Sequence, residues 1–319
     1  MSVGCILLAG DLVHIRGILS GSPNPKTMRS KLVALATLAV ALSFVSQSVH
    51  AQSFIGLRPD PGNSSITQLI DLALAPVFTV SDRAGTGIAA LSGLDRQPSG
   101  TLFASSGFRD GGNIYTINET TGAATLVGAS GFPAVSALAF DQSGNLFGSA
   151  STDPALFPDT LISINTATGV GTTIGTYNAF GISGIDGLAF HPTTGILYGM
   201  SVFDADGTDP LFSIDPSTGE ATFLGRVTEA GTGNAAPESI AGLTFDHNGN
   251  LYGSTGSRDG SILSIDIDNL TFTILGDGTP NGGSVSDLVA VTPVPEPVSM
   301  WLTVGLLSGL VYWRRNKVA

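Results

Sequence analysis

The densest cluster of side chains that could bind a cation is the acidic run Asp204-Ala205-Asp206-Gly207-Thr208-Asp209. Carboxylates that alternate around a glycine turn can wrap a hard cation such as Ca²⁺, which prefers oxygen ligands. The run lacks the loop length and the distal bidentate glutamate of an EF-hand. Asp and Gly are also common in ordinary tight turns, which is the competing interpretation. We therefore predict no cofactor other than Ca²⁺, with Asp204, Asp206 and Asp209 as its candidate ligands.

The sequence has few residues or motifs for other kinds of reactive site. The single cysteine, Cys5, precedes the central region of residues 52–293, so disulfides and thiolate chemistry are excluded there. That region has two histidines, His191 and His247, too few for a multi-histidine metal site. The sequence has no Gly-x-Ser-x-Gly nucleophile elbow and no glycine-rich phosphate loop at a strand–helix junction. We therefore predict no catalytic residue and a protein that is not an enzyme.

The central region is strongly acidic. It contains six arginines, no lysine and 23 aspartates and glutamates, which gives a net charge of −17. Binding to a phosphate backbone needs Lys and Arg to replace counterions, so nucleic acid is excluded as a partner. Docking to anionic lipid is disfavoured for the same reason, whereas solubility and binding of divalent cations are favoured.

The N-terminal segment, residues 1–51, is typical of a secretory signal peptide. Met28-Arg29-Ser30-Lys31 is a basic start, Leu32 to Val45 is apolar, and Val49-His50-Ala51 places short side chains at the −3 and −1 positions. We predict that translation starts at Met28 and that signal peptidase cleaves between Ala51 and Gln52. An N-terminal membrane anchor is the alternative, although the apolar run of about 14 residues is shorter than the roughly 20 that a span requires.

The C-terminal segment, residues 294–319, has three parts that predict a membrane helix. Val294-Pro295-Glu296-Pro297 is a rigid spacer, Val298 to Trp313 is apolar, and Arg314-Arg315-Asn316-Lys317 is basic. The basic end is expected to stay on the cytoplasmic side by the positive-inside rule. The predicted transmembrane helix, 298–313, is about 16 residues long and needs local thinning of the bilayer to span it.

This three-part order closely resembles the PEP-CTERM sorting signal over residues 294–317. The resemblance implies recognition by an exosortase, a membrane transpeptidase-like enzyme, through Val294, Pro295, Glu296, Pro297, Arg314 and Arg315. It also implies an inner-membrane-anchored precursor, cleavage near Pro-Glu-Pro, and then display at the cell surface or in an extracellular matrix associated with exopolysaccharide. The partners expected on this basis are exosortase, signal peptidase, and exopolysaccharide or another surface protein. A plain C-terminal anchor is the alternative.

Four internal repeats predict the fold of the central region. Each repeat has a strand ending in Phe-Asp or a variant, a Leu-Phe/Tyr-Gly strand, a Ser-Ile-Asp strand with a Thr-Gly turn, and a short Thr-rich strand. The matched positions Leu94, Phe140, Phe190 and Phe245 are 46, 50 and 55 residues apart. Four strands in about 45–55 residues is the size of a β-propeller blade.

We predict an all-β fold over residues 52–293, a β-propeller with five four-stranded blades or, alternatively, six. Ile66 to Val80 and Val285 to Val291 each resemble part of a further unit and would join as a composite blade that closes the ring. Stacked blades bury each other's faces, which explains why the motif repeats. A β-sandwich is the competing fold.

The function predicted for the propeller is a non-enzymatic binding or structural role. His191 falls in the slot where the other repeats have an aspartate (Asp95, Asp141 and Asp246), and one turn-capping role explains all four. The alternative is a secreted hydrolase or lyase with a metal site on the propeller axis, whose ligands would come from different blades. Three or more carboxylates or amides that converge on the axis would favour this alternative.

Overall fold

The computed structural model describes residues 52–60, 63–73, 79–107, 110–153, 159–177, 184–201, 209–235, 239–256, 260–277 and 284–291. These residues form strands and turns, with no helix among them. The predicted signal peptide and the predicted sorting tail, including helix 298–313, lie outside this range. Within the range, therefore, no helix has the length and apolarity of a membrane span.

Twenty strands are present in the described residues, and most of them fall into groups of four that are consecutive in the chain. The first three are β1 (Ser53–Asp60), β2 (Asn63–Ala73) and β3 (Thr79–Gly85). Blade 1 contains β4 (Leu91–Arg96), β5 (Leu102–Ser106), β6 (Asn113–Ile117) and β7 (Ala124–Ala129). Blade 2 contains β8 (Ala134–Phe140), β9 (Leu146–Ser151), β10 (Thr160–Ile164) and β11 (Gly171–Thr176). Blade 3 contains β12 (Ile185–Phe190), β13 (Leu197–Ser201), β14 (Asp209–Ile214) and β15 (Ala221–Glu229). Blade 4 contains β16 (Ile240–Phe245), β17 (Leu251–Thr255), β18 (Ser261–Asp266) and β19 (Thr271–Asp277), and the last strand is β20 (Asp287–Val291).

The composite blade combines the two ends of the described chain. Strand β20 pairs antiparallel with β1, from Ser53 opposite Val291 to Leu57 opposite Asp287, and β2 and β3 complete the sheet. The inner strands contact each other in the closed order β4, β8, β12, β16, β20 and back to β4. The described residues therefore form a ring of five four-stranded units, which confirms the predicted composite blade and the preference for five blades over six and over a sandwich.

Small residues at the third position of the inner strands allow neighbouring blades to pack closely. A Cβ atom added to Gly93 would lie 2.8 Å from the carbonyl carbon of Ala137, and one added to Gly187 would lie 2.9 Å from the carbonyl oxygen of Ala241. Carbon atoms normally approach to about 3.5–4.0 Å, so a larger residue would push the next strand away. The repeated glycine is therefore a consequence of direct contact between inner strands.

Aromatic pairs of one kind join blade 1 to blade 2, blade 2 to blade 3 and blade 3 to blade 4. Each pair combines an aromatic residue of the second strand with the phenylalanine that ends the inner strand of the following blade. The ring centroids are 5.4 Å apart in Phe103–Phe140, 5.2 Å in Phe147–Phe190 and 5.5 Å in Tyr198–Phe245. Such separations are typical of favourable aromatic contacts. The Leu-Phe/Tyr-Gly and Phe-Asp motifs of the sequence are thus the two halves of one contact between blades.

Blades 3 and 4 are joined more tightly than the sequence repeats suggest. Strand β15 continues past the usual end of an outer strand and pairs in parallel with β19, with Thr228 opposite Thr271 and Glu229 opposite Phe272. The two blades thereby form one eight-stranded sheet. The backbone groups at this seam are satisfied by the bonds from Thr228 N to Leu270 O, 3.1 Å, and from Ala230 N to Phe272 O, 2.8 Å.

Candidate functional site

Two carboxylates lie between the inner strands around the axis. Asp287, on β20, accepts hydrogen bonds from Leu94 N at 2.7 Å and from Leu288 N at 2.8 Å, and a further one from the N–H of Leu243. Its side chain is 2 % exposed. Burial raises the pKa of Asp287 well above its ordinary value, and the three N–H donors act in the opposite direction. Asp287 thus ties the closing strand to the inner strands on both sides of it.

Asp95, on β4, makes the same arrangement at the next seam. Its carboxylate accepts hydrogen bonds from Phe140 N at 2.6 Å and from Arg96 N at 2.7 Å, one in the neighbouring strand and one in its own. Burial raises the pKa of Asp95 to about 7. Because the oxygens of Asp95 and Asp287 accept main-chain N–H groups of neighbouring strands, both carboxylates support the ring.

The predicted turn-capping role is confirmed at three of its four positions. Asp141 accepts from Ser143 N at 2.9 Å and from Asn145 N at 2.8 Å. Asp246 accepts from Asn248 N and Asn250 N, both at 2.9 Å. The Nδ1 atom of His191 accepts from Thr193 N at 3.1 Å and from Thr194 N at 3.2 Å.

The prediction was wrong for Asp95. In the structure Leu94 pairs with Ala104 and Leu138 pairs with Gly148, so Asp95 corresponds to Ala139 and not to Asp141. The turn of blade 1 begins two residues later, at Gln97, whose N–H donates to Thr101 O at 2.9 Å. The alignment of the repeats matched Leu94 with Phe140, and this wrong match placed Asp95 in the turn after β4 instead of within β4.

Asp186 is a third carboxylate of the inner strands. It precedes Gly187 in β12 and accepts a hydrogen bond from the hydroxyl of Ser136, which precedes the equivalent residue Ala137 in β8. The corresponding residues of the other inner strands are small (Ser92, Ala241 and Ser286). Burial raises the pKa of Asp186 to about 6. One carboxylate and three hydroxyl groups therefore surround this end of the axis.

The predicted calcium ligands are only partly within the described residues. Asp204 and Asp206 lie outside them. Asp209, at the start of β14, is 4 % exposed, and its carboxylate accepts a hydrogen bond from the N–H of Ile240. Burial raises the pKa of Asp209 to about 7, so an ionised ligand at this position is disfavoured in the absence of a cation. Among the residues that the structure describes, no group of three or more His, Cys, Asp or Glu side chains is placed to hold a metal.

Of the residues predicted to take part in processing, one, Gln52, lies in the described range. Gln52 precedes β1, and its side-chain amide donates to Ser53 O at 3.0 Å and to Val291 O at 3.5 Å. Ala51 and the sorting motif (Val294, Pro295, Glu296, Pro297, Arg314 and Arg315) lie outside it. The residues on either side of the described propeller therefore leave it at the same edge of the composite blade.

Two cavities open on the face of the ring that carries the turns after the inner strands. The smaller, of about 180 Å³, lies over the axis and is lined by Arg96, Phe140, Phe190 and Phe245 among others. Arg96 forms an ion pair with Glu119 and donates to Gly100 O at 3.1 Å. The larger, of about 590 Å³, is a groove between blades 3 and 4. Sequence reasoning found neither cavity.

No family model matches the sequence, and no curated protein matches it. The fold has counterparts among solved structures. A chain of the nidogen/laminin complex superimposes with a TM-score of 0.50 and 11 % identity, covering 75 % of this chain and 98 % of that one. TolB from Acinetobacter baumannii superimposes with a TM-score of 0.47 and 14 % identity, covering 81 % of this chain and 60 % of that one. These structures are β-propellers. The fold is a β-propeller. At such identities the likeness concerns the fold alone, and the chain spans less than two thirds of TolB.

Proposed function

We propose that the chain is an exported, exosortase-processed surface or matrix protein, in which the propeller has a binding or structural role and performs no catalysis. The observation that carries the non-enzymatic part is the use of the carboxylates between the inner strands. Asp95 and Asp287 accept main-chain N–H groups of neighbouring blades and so support the ring, and only Asp95 of the two also lines the cavity of about 180 Å³. Asp186 is left as a single carboxylate beside hydroxyl groups.

Export and sorting rest on the sequence patterns at the two ends. The signal-peptide pattern ends at Ala51, and the Val294-Pro295-Glu296-Pro297 motif begins three residues after β20 ends at Val291. A protease or transpeptidase acting on either site would therefore release a propeller whose closing sheet is retained. An exosortase, signal peptidase and an exopolysaccharide or surface protein are the partners proposed on this basis.

The experiment is expression from Met28 in a host that has exosortase, followed by mass measurement of the protein outside the inner membrane. The expected mass begins at Gln52 and ends between residues 293 and 297. A matched control replaces Glu296 of the motif (Glu296→Ala) and should leave the tail attached. A mass that retains residues 298–319 in the parent chain would show a plain anchor and refute the sorting part of the proposal.

A hydrolase or lyase with a metal on the axis is the alternative, and Asp186 is the residue that favours it. Elemental analysis of the purified chain separates the two functions. One tightly bound divalent metal ion per chain that is lost in Asp186→Asn would contradict the non-enzymatic proposal. Metal content that is equal in the parent chain and the variant is expected.

A further inference from the structure

The groove between blades 3 and 4 departs from the repeat pattern in the residues that line it. The slot that holds Asp141 and Asp246 in blades 2 and 4 holds His191 in blade 3. The aromatic position occupied by Phe103 and Phe147 in blades 1 and 2 is a tyrosine in blades 3 and 4, and the tyrosine of blade 3, Tyr198, lines this groove. His191 caps its turn as those aspartates do, and it also lines the groove together with Tyr198.

The last turn of blade 4 carries further departures. Asp266-Ile267-Asp268-Asn269-Leu270 replaces the Asp215-Pro216-Ser217-Thr218-Gly219 form of blade 3. Leu270 has a φ of 53°, where the equivalent glycines have values of 72°, 76° and 78°. A leucine in this left-handed region costs of order 1 kcal/mol or more, which the surrounding structure must offset. The parallel pairing of β15 with β19 fixes this turn, so the groove beside it is held in one shape.

The polar groups of the groove present both donors and acceptors. The Nδ1 atom of His191 accepts two main-chain N–H groups, so the ring proton is placed on Nε2, which becomes a donor. Tyr198 and Asp268 both line this cavity, and the pKa of the Tyr198 phenol is raised by burial and, to a smaller extent, by the charge of Asp268. Ser264 and Asn250 line the same cavity, and Ile267 adds an apolar wall. A carboxylate acceptor beside hydroxyl, amide and imidazole groups matches the alternating hydroxyls of a pyranose ring.

We infer that this groove binds an uncharged oligosaccharide. Its volume of about 590 Å³ lies within the range of about 300–1,000 Å³ that is typical of ligand pockets. Asp266 and Asp268 line it within a central region of net charge −17, so uronates and other anionic sugars are repelled. The inference deepens the proposed binding role of the propeller and rests on that proposal for its biological setting.

The test is isothermal titration of the full chain, purified in a detergent without a sugar headgroup. The probes are the neutral disaccharides cellobiose, lactose and mannobiose, with digalacturonate as an anionic comparison and trilysine as a cationic peptide. At least one neutral disaccharide is expected to bind with a Kd of about 1 mM or tighter. Binding of none of them, or of trilysine alone, would overturn the inference.

Each variant installs a residue that another repeat already has at the equivalent position. Tyr198→Phe installs the residue that blades 1 and 2 have at this position, and Asp268→Ser installs the residue of blade 3. Each should weaken the disaccharide by at least about tenfold, because each removes a hydrogen-bonding group. Thr120→Ala, at the position equivalent to Asp268 in blade 1, should leave the Kd unchanged. Undiminished binding in the Tyr198→Phe/Asp268→Ser double variant would also overturn the inference.

The outcome is independent of the sorting experiment. A chain that binds the disaccharide but keeps its tail would refute only the proposed surface display. A chain that is processed and released but binds no neutral disaccharide would refute only the glycan site.

Discussion

Replacing Gly242 by alanine tests whether close contact between inner strands holds the ring together. The added Cβ would lie 2.7 Å from the Cα and from a carboxylate oxygen of Asp287, and 2.5 Å from the hydroxyl oxygen of Ser254. The hydroxyl can rotate away, but the Cα of Asp287 belongs to the closing strand β20. Relief to an ordinary contact of about 3.5 Å requires that strand to move by about 1 Å. Such a movement, away from β16, would also lengthen the bond that Asp287 accepts from the N–H of Leu243, the residue after Gly242.

Overpacking of this kind costs about 1–3 kcal/mol, and the disturbed hydrogen bond places Gly242→Ala at the upper end of that range. For a domain of this size, 1 kcal/mol shifts Tm by about 2–4 °C, so we expect a decrease of about 5–10 °C by calorimetry. Gly107→Ala is the matched control, because its added Cβ would be 3.8 Å from the nearest atom outside its chain neighbours, the Ala90 carbonyl oxygen. Equal Tm values for the two variants would refute direct contact between the inner strands as the reason for the glycine.

Three further predictions concern the carboxylates. Burial raises the pKa of Asp95 and of Asp209 to about 7 and that of Asp186 to about 6, so the folded state retains protons that the unfolded chain loses above pH 3.8. The free energy of unfolding should therefore fall as pH rises from about 4 to about 7, and thermal melts should give a higher Tm at pH 5.5 than at pH 8; the opposite trend would contradict these shifts. Asp186→Asn should raise the free energy of unfolding by about 1–2 kcal/mol at pH 7.5 and by much less at pH 5, and urea unfolding at both pH values checks this. The expected gain is smaller than the full free energy of a shift of about two pKa units, because the side chain is partly exposed to solvent. Asp287→Ala leaves the N–H groups of Leu94, Leu243 and Leu288 without their acceptor and should cost about 3 kcal/mol or more. Asp141→Ala, in a half-buried turn, should cost less than about 1 kcal/mol in the same urea assay.

Much of the fold could be predicted because each repeat contains complete hairpins within short stretches of sequence. A strand, its turn and the following strand lie within about ten residues, so the Phe-Asp, Leu-Tyr-Gly and Thr-Gly motifs identify the hairpins and the caps at Asp141 and Asp246. The composite blade could be predicted because a ring of stacked sheets needs its ends joined. The register of β4 was missed although the sequence carried a signal for it, because Leu94 precedes the matched Leu102 by eight residues, whereas Phe140 precedes the matched Leu146 by only six.

The site residues were less accessible to sequence reasoning for a physical reason. Asp287 and Leu94 are 193 residues apart in the chain, and Asp95 and Phe140 are 45 apart, so their contacts depend on how the blades stack. The groove between blades 3 and 4 could be recognised from the sequence only by comparing the repeats with one another. His191 and Asp268 differ from their counterparts in the other repeats, Tyr198 differs from those of blades 1 and 2, and the stacked structure brings the three together.

The antiparallel pairing of β20 with β1 determines how the propeller would respond to a force applied beyond Val291. Ser53 and Val291 are partners, so the chain on either side of the propeller leaves from the same end of the same strand pair. Tension on the C-terminal side would load the hydrogen bonds of this pair one after another, starting at Val291, as in the opening of a zipper. The bonds that Asp287 accepts lie at the far end of β20 and would be reached last, so the ring would resist opening most strongly where its closing strand begins.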